Sequence, residues 1–411
     1  MKICYNTDLK QTERNEKMAV TETVNISWGS RIGASIKGIL VGLALFVAGF
    51  PVLFWNEGRS VKTAKAIDEG EGACISVESN AAVDPELNGK LVHMTGRADT
   101  KEVLVDDVFG VSATAIRLVR EVEMYQWIEE SDTTEKKKLG GGVERKTTYT
   151  YKKDWSSDVV DSGSFHEQGH ENPGAMEFQS DSRQASAVTF GAFRLSRRQI
   201  DRIGASQDFR FPADFTCRVA RVQMQSTAIL VPNAETRKNA LNNRDVATQP
   251  RIGDMRVKFS VVYPHDISLI AKQHGDTFVD YTAKNGRKLS YMHDGIADAA
   301  EMFESARSGT AFLTWVLRVV GFLMMFFGLS MVLKLLSVLA DVLPILGDIV
   351  GIGTGIVAFL VALVFALATI AVAWLFYRPI LGCLLLAAAG GLVWMLVQKR
   401  KAAKSASGMP A

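Results

Sequence analysis

The feature that most constrains this chain is the uneven placement of its charges. Of 47 basic and 44 acidic side chains, only Arg318, Lys334, Asp341, Asp348 and Arg378 lie in the 88 residues from Thr310 to Val397. A water-soluble fold does not leave so long a stretch nearly uncharged, whereas a hydrocarbon core demands apolar runs of about 20 residues. Two solvents are therefore implied, and whole-chain averages of 47% hydrophobic and 22% charged residues describe neither part. A single globular domain, a collagen-like or disordered chain, and a carrier built of membrane helices throughout are all excluded. The formal charge of +3, with no basic block interleaved with aromatics, gives no reason to expect nucleic acid as a partner.

The first apolar run, Gly38 to Trp55, holds eighteen residues without a charge and as a helix rises about 27 Å, enough to cross the core of a bilayer. Ala64 and Ala66 form an A-x-A pattern, but the leader and the apolar core are too long for a cleaved signal peptide. The second span is read over 311–333, with Arg318 in its first third, where a long side chain can snorkel to the headgroups or pair with a neighbouring helix. Residues 334–348 are apolar but broken by Asp341 and Pro344, and are expected to form an amphipathic in-plane or re-entrant segment. A third span is expected over 349–377, and Arg378-Pro379 makes a tight turn into a fourth, 379–397. Four spans put both termini on one side. The basic flank Lys399, Arg400, Lys401 and Lys404 assigns that side to the cytoplasm. Residues 1–37 then form a mostly disordered cytoplasmic tail, 398–411 a basic one, and the 254 residues of 56–309 lie on the opposite face.

Strand signals dominate 56–309. Ser60 to Glu69 continues the first span as a short helix, and Lys90 to Thr95 is a short strand. Arg117 to Glu130 and Lys146 to Ser156 alternate as the arms of an aromatic hairpin, around Tyr125 to Tyr151, with a charged, glycine-rich, mobile tip. Met255 to Tyr263, Ile267 to Lys272 and Thr277 to Tyr281 are further strands, and helices are expected at Arg194 to Arg202 and Ile296 to Ser308. The fold class is an integral membrane protein: four transmembrane helices, one N-terminal and three C-terminal, enclosing a large, strand-rich α+β extramembrane domain.

No catalytic, cofactor or metal residue emerges. His166-Glu167-Gln168-Gly169-His170 matches H-E-x-x-H, the zinc metallohydrolase pattern, which needs a helix to set two imidazoles one turn apart. Gly163, Gly169 and Asn172-Pro173-Gly174 deny it that helix. Cys74 and Cys217 are the one pair of cysteines placed to bond. Gly351-x-x-x-Gly355 allows a close helix approach. Charge at the membrane edge is more informative: Glu57, Arg59 and Arg378 sit where one membrane face is expected, and the reading is an ion pair docking the last helical hairpin to the domain base. A conduction path between subunits is the alternative, weakened by Arg318 being shallow within its span.

Several short runs resemble one family: Asn56-Glu57-Gly58-Arg59, Leu91-Val92-His93, Val122 to Trp127 with Glu129, Gly169-His170 with Asn172-Pro173, Gly253-Asp254 with Arg256-Val257, Gly275-Asp276, and Trp374-Leu375-Phe376-Tyr377-Arg378-Pro379. Together they are similar to transmembrane protein 43, or LUMA, from the first span to the last. The resemblance implies one N-terminal span, a large luminal domain and three C-terminal spans. It also implies a non-enzymatic homo-oligomer that organises membrane protein complexes, in the endoplasmic reticulum and inner nuclear membrane of eukaryotes with emerin and lamins, or in the cytoplasmic membrane of a bacterium without those partners. Candidate structural or interaction residues are Glu57, Arg59, Trp127, Arg318 and Arg378, and membrane lipids are expected partners.

Overall fold

In the computed structural model, the described residues are 19–78, 80–238 and 246–380, with 384, 394 and 395. Among them, three helices are long and apolar enough to cross a membrane. Helix α1 runs from Trp28 to Ala73, 46 residues without a break, or about 69 Å. Ser27 caps its start, accepting the Ser30 amide at 3.3 Å, and Pro51 is accommodated inside it. The separate span and short helix expected over 38–69 are thus one rod that enters the domain, because nothing between Trp55 and Glu69 breaks helical geometry. Helix α2, Ala299–Ala340, is capped by Asp298, and α3, Pro344–Tyr377, starts with proline at its first position, where no amide donor is missed.

These boundaries correct two expectations. Residues 334–348 are not an in-plane segment: they are the last turns of α2, a short turn, and the first turn of α3. Residues 19–37 are not disordered, since a strand, β1 (Ala19–Ile26), precedes α1. The expected fourth span, 379–397, lies almost wholly outside the described residues.

The helices pack through small residues. A Cβ on Gly42 would lie 2.5 Å from the Gly328 carbonyl oxygen, one on Gly328 2.6 Å from that of Gly42, and one on Gly321 2.5 Å from Leu53. Gly49 presses on Met325 in the same way. Glycines seven residues apart on both helices let the backbones touch, the arrangement that dispersion forces favour where lipid offers no hydrophobic drive. Gly351 and Gly355, the expected contact motif, lie outside this seam: a Cβ on Gly351 would lie 3.1 Å from Ser337 Oγ of α2, while one on Gly355 meets nothing within 4 Å. Phe46, Phe50 and Phe365 stack edge to face where α3 joins.

The domain is built on two large sheets with separate cores, antiparallel but for one pair, where Ile75–Val77 runs parallel to residues 92–94. In chain order its main strands are β2 (Leu91–Asp99), β3 (Arg117–Lys137), β4 (Val143–Ser156), β5 (Ala228–Val231), β6 (Met255–Val262) and β7 (His265–His274). One sheet is ordered β1-β4-β3-β6-β5, and the other is centred on the β2-β7 pair. Alternation drives the register: Leu118, Val122 and Met124 on β3 face the same core as Met255, Val257, Phe259 and Val261 on β6. A third cluster joins domain to helices, with Ile67 of α1 and Phe303 of α2 closing on Leu91 and Ile270.

The hairpin is longer than its sequence suggested. Strands β3 and β4 stay paired from Met124↔Ser156 to Lys137↔Val143, and β1 adds a third strand from Ala19↔Thr150 to Ile26↔Val143. Threonine-rich, charge-alternating arms satisfy cross-strand pairs such as Glu135–Arg145 and Glu130–Lys152, so pairing outlasts the apolar pattern. From Trp127 to Lys137 the strand rises about 33 Å, and from Glu57 back to Arg31 α1 covers about 39 Å. The tip therefore meets the far end of the helix bundle: the Gly140 amide donates to Val342 O at 3.1 Å, and the Arg31 guanidinium to Gly141 O at 2.6 Å. This departs from the expectation that all of 56–309 lies on one face, opposite 334–348.

Candidate functional site at the membrane junction

Glu57 sits on α1 just past its apolar run, with 1% of its surface exposed. Its carboxylate accepts two bonds from Arg318 of α2, Nε to Oε1 at 2.6 Å and Nη2 to Oε2 at 2.9 Å, and a third from the Trp374 indole of α3 at 2.8 Å. One side chain thus ties all three helices. The geometry is the fork that guanidinium and carboxylate share, and with both charges withdrawn from water the loss of either partner is costly. The Arg318 guanidinium also lies over the Trp315 and Trp374 rings, at 4.8 and 5.9 Å.

The neighbours of Glu57 complete the joint. Asn56 donates to the Thr314 carbonyl at 3.0 Å, and Arg59 donates to Asn56 Oδ1 and Thr314 Oγ1, each at 3.2 Å. A Cβ on Gly58 would lie 2.5 Å from the Tyr377 ring, so glycine lets α3 close against α1. Burial, then repulsion from Arg287, pulls the Arg59 guanidinium below its ordinary value. Arg318, expected either to snorkel or to pair with a neighbouring helix, does the second, as the partner of Glu57. Arg378, expected to fill that role, is exposed at the end of α3 and has no ion pair among the described residues. The joint ties the three described helices through a different arginine, and the last helical hairpin expected at Arg378-Pro379 lies almost wholly outside the described residues.

A second buried carboxylate, unforeseen, lies at the opposite end of the bundle. Asp341, 1% exposed, is paired with Arg31 of α1 at 2.5 Å and with Lys137 of the hairpin tip at 2.6 Å. Lys137 also reaches Asp348 at 2.8 Å. Burial pulls the Lys137 ammonium down, but bonds to the two carboxylates outweigh it and hold it above its usual value. Nearby, Trp28 donates to Val338 O at 2.8 Å.

Trp127 belongs to a third cluster, at the hairpin root. Asn172 mimics a strand edge against it, accepting its amide at 2.7 Å and donating to its carbonyl at 2.9 Å. The Trp127 ring meets Lys153 at 4.5 Å and His170 at 4.6 Å. Tyr151 stacks on His170 at 3.9 Å and donates to Glu129 at 2.6 Å; burial and that bond push its phenol up to about 12. Gly253, at φ +85°, and Asp254 close the same region on Tyr125. His166 stacks on Tyr149 instead, at 4.0 Å, and the segment around it is not helical. Two imidazoles on different tyrosines are not a zinc pair, and among the described residues no three metal-ligating side chains cluster. Cys74 and Cys217 are free thiols, and burial pushes that of Cys74 up to about 11.

The sequence model of transmembrane protein 43 matches residues 124–379, from the hairpin root to the end of α3. The chain belongs to the transmembrane protein 43 family. Mouse transmembrane protein 43 is 34% identical over 390 residues, 91% of this chain and 94% of that protein. The human protein is 33% identical over 399 residues, covering 94% and 96%, and the Drosophila melanogaster homolog 30% over 367, covering 86% and 93%. No solved structure matches the chain. The family match takes in Trp127, Arg318, Asp341 and Trp374, so two helices of the junction joint and the whole α2–α3 turn fall inside it.

Proposed function

We propose that this member of the transmembrane protein 43 family is a non-enzymatic homo-oligomer that organises other membrane proteins. The observation that carries the reading is the polar sheet β1-β4-β3 running at the depth of the helix bundle. Hydrocarbon does not tolerate open strand edges or exposed charges, and the arms expose Glu130, Asp132 and Lys136. Neighbouring copies that enclose these sheets remove them from lipid, and the Glu57 joint holds each sheet at a constant angle to its own helices. Both termini in the cytoplasm, in an endomembrane or a bacterial inner membrane, complete the arrangement. Mass measurement of the intact protein in lipid nanodiscs tests it: a multiple of 45.0 kDa is expected, and a clean monomer overturns it. Cysteine in place of Asp132 should also crosslink between copies.

The same polar sheets favour a second reading, a water-filled path between subunits that passes ions. Reconstituted protein that carries no ion flux across a range of cations and pH values removes it.

A further inference from the structure

We propose that the far end of the bundle carries a binding site for an anionic phospholipid. A cavity of about 430 Å³ opens between the start of α1, the end of α2 and the hairpin tip, within the size range of small-ligand sites. Its depth is set by the chain: Gly38 begins the first apolar run and Lys334 ends the second, so the cavity lies where headgroups meet acyl chains. Its lining mixes apolar groups, among them Gly38, Met331 and Val338, with the charged Arg31, Arg145, Lys334 and Glu135 and the Ser30 and Ser35 side chains.

The charges decide what fits. Asp341 holds Arg31 and Glu135 holds Arg145, at 2.5 and 2.7 Å. Lys334 has no carboxylate partner among the described residues. It also lines a smaller cavity of about 230 Å³ between α2 and α3, where Ser330 Oγ is buried without a hydrogen-bond partner. An ammonium placed between two cavities of mixed apolar and polar lining at the membrane edge selects a ligand with one negative headgroup and hydrocarbon attached. A zwitterionic lipid brings its own cation, and a free phosphate leaves the apolar groups uncovered.

The test uses full-length protein in nanodiscs of mixed phosphatidylcholine and phosphatidylglycerol, with co-purified lipid counted by native mass spectrometry. Phosphatidylglycerol enrichment is expected. Lys334→Gln should cut the apparent affinity about fivefold, the effect of one basic side chain near an anionic surface. Gly38→Leu keeps every charge and occupies the apolar part of the lining; its Cβ meets only Met331 Cε, at 3.9 Å, so folding is preserved and lipid retention should still fall. Equal retention of both lipids, or enrichment unchanged in both variants, overturns the proposal. Thermal stabilisation by inorganic phosphate matching that by phosphatidylglycerol overturns the lipid assignment.

Discussion

The two ends of the helix bundle solve one problem in different ways. Each buries a carboxylate between helices, Glu57 at the domain end and Asp341 at the far end, both 1% exposed. Glu57 is satisfied wholly from within the bundle, by Arg318 and Trp374. Asp341 takes one cation from α1 and another from a strand that arrives from the domain. The first joint is therefore part of the bundle's own assembly. The second is a clasp that the bundle can lose while its helices stay packed.

The largest effect that separates them is at Arg318. Arg318→Ala leaves Glu57 buried and unpaired, which should cost about 3–5 kcal/mol and lower the thermal midpoint of the whole protein in detergent. Pairing it with Glu57→Gln should recover most of that loss, and failure to recover would show that the charge pair is not what holds the helices. Gly58→Ala comes next, at about 1–3 kcal/mol from overpacking against Tyr377, read in the same melt. At the other end, Lys137→Ala should cost about 1 kcal/mol or less, because Arg31 still meets Asp341. Hydrogen exchange should quicken in the distal halves of β3 and β4 and not in α1 or α2; a shift in the bundle as well would erase the distinction.

The smallest effect is a pH dependence. Lys137 titrates above its ordinary value in the folded protein, so its stabilising effect is complete below about pH 10.4 and is lost as pH rises through the folded value. Protection of the hairpin tip, corrected for the base catalysis of exchange itself, should stay constant across neutral pH, where Lys137 keeps its proton, and fall only in strong alkali. Lys137→Ala should abolish that alkaline step.

Much of this was legible from the chain. Uncharged runs announced the three spans found among the described residues, alternation announced β3, β4 and β6, and the Asn56 to Arg59 run sat at the junction it helps build. The identity of the Glu57 partner was not legible, because Arg318 and Arg378 are both arginines at membrane edges and only helix rotation chooses between them. The clasp escaped for another reason: Lys137, Arg31 and Asp341 are scattered over 310 residues, and the Thr-rich arms that bring them together carry no apolar period. Gly42, Gly49, Gly321 and Gly328 hid by their spacing of seven, while the more familiar Gly351 and Gly355 spacing lies outside that seam.

The unbroken course of α1 has a mechanical consequence. A lever with no hinge between membrane and domain converts any lean of the span into an equal swing of everything mounted on it. Because α1 and α2 touch backbone to backbone, neither slips along the other to absorb the motion. A change in the tilt of the α1 apolar run is thereby expected to move the strand-rich domain with it.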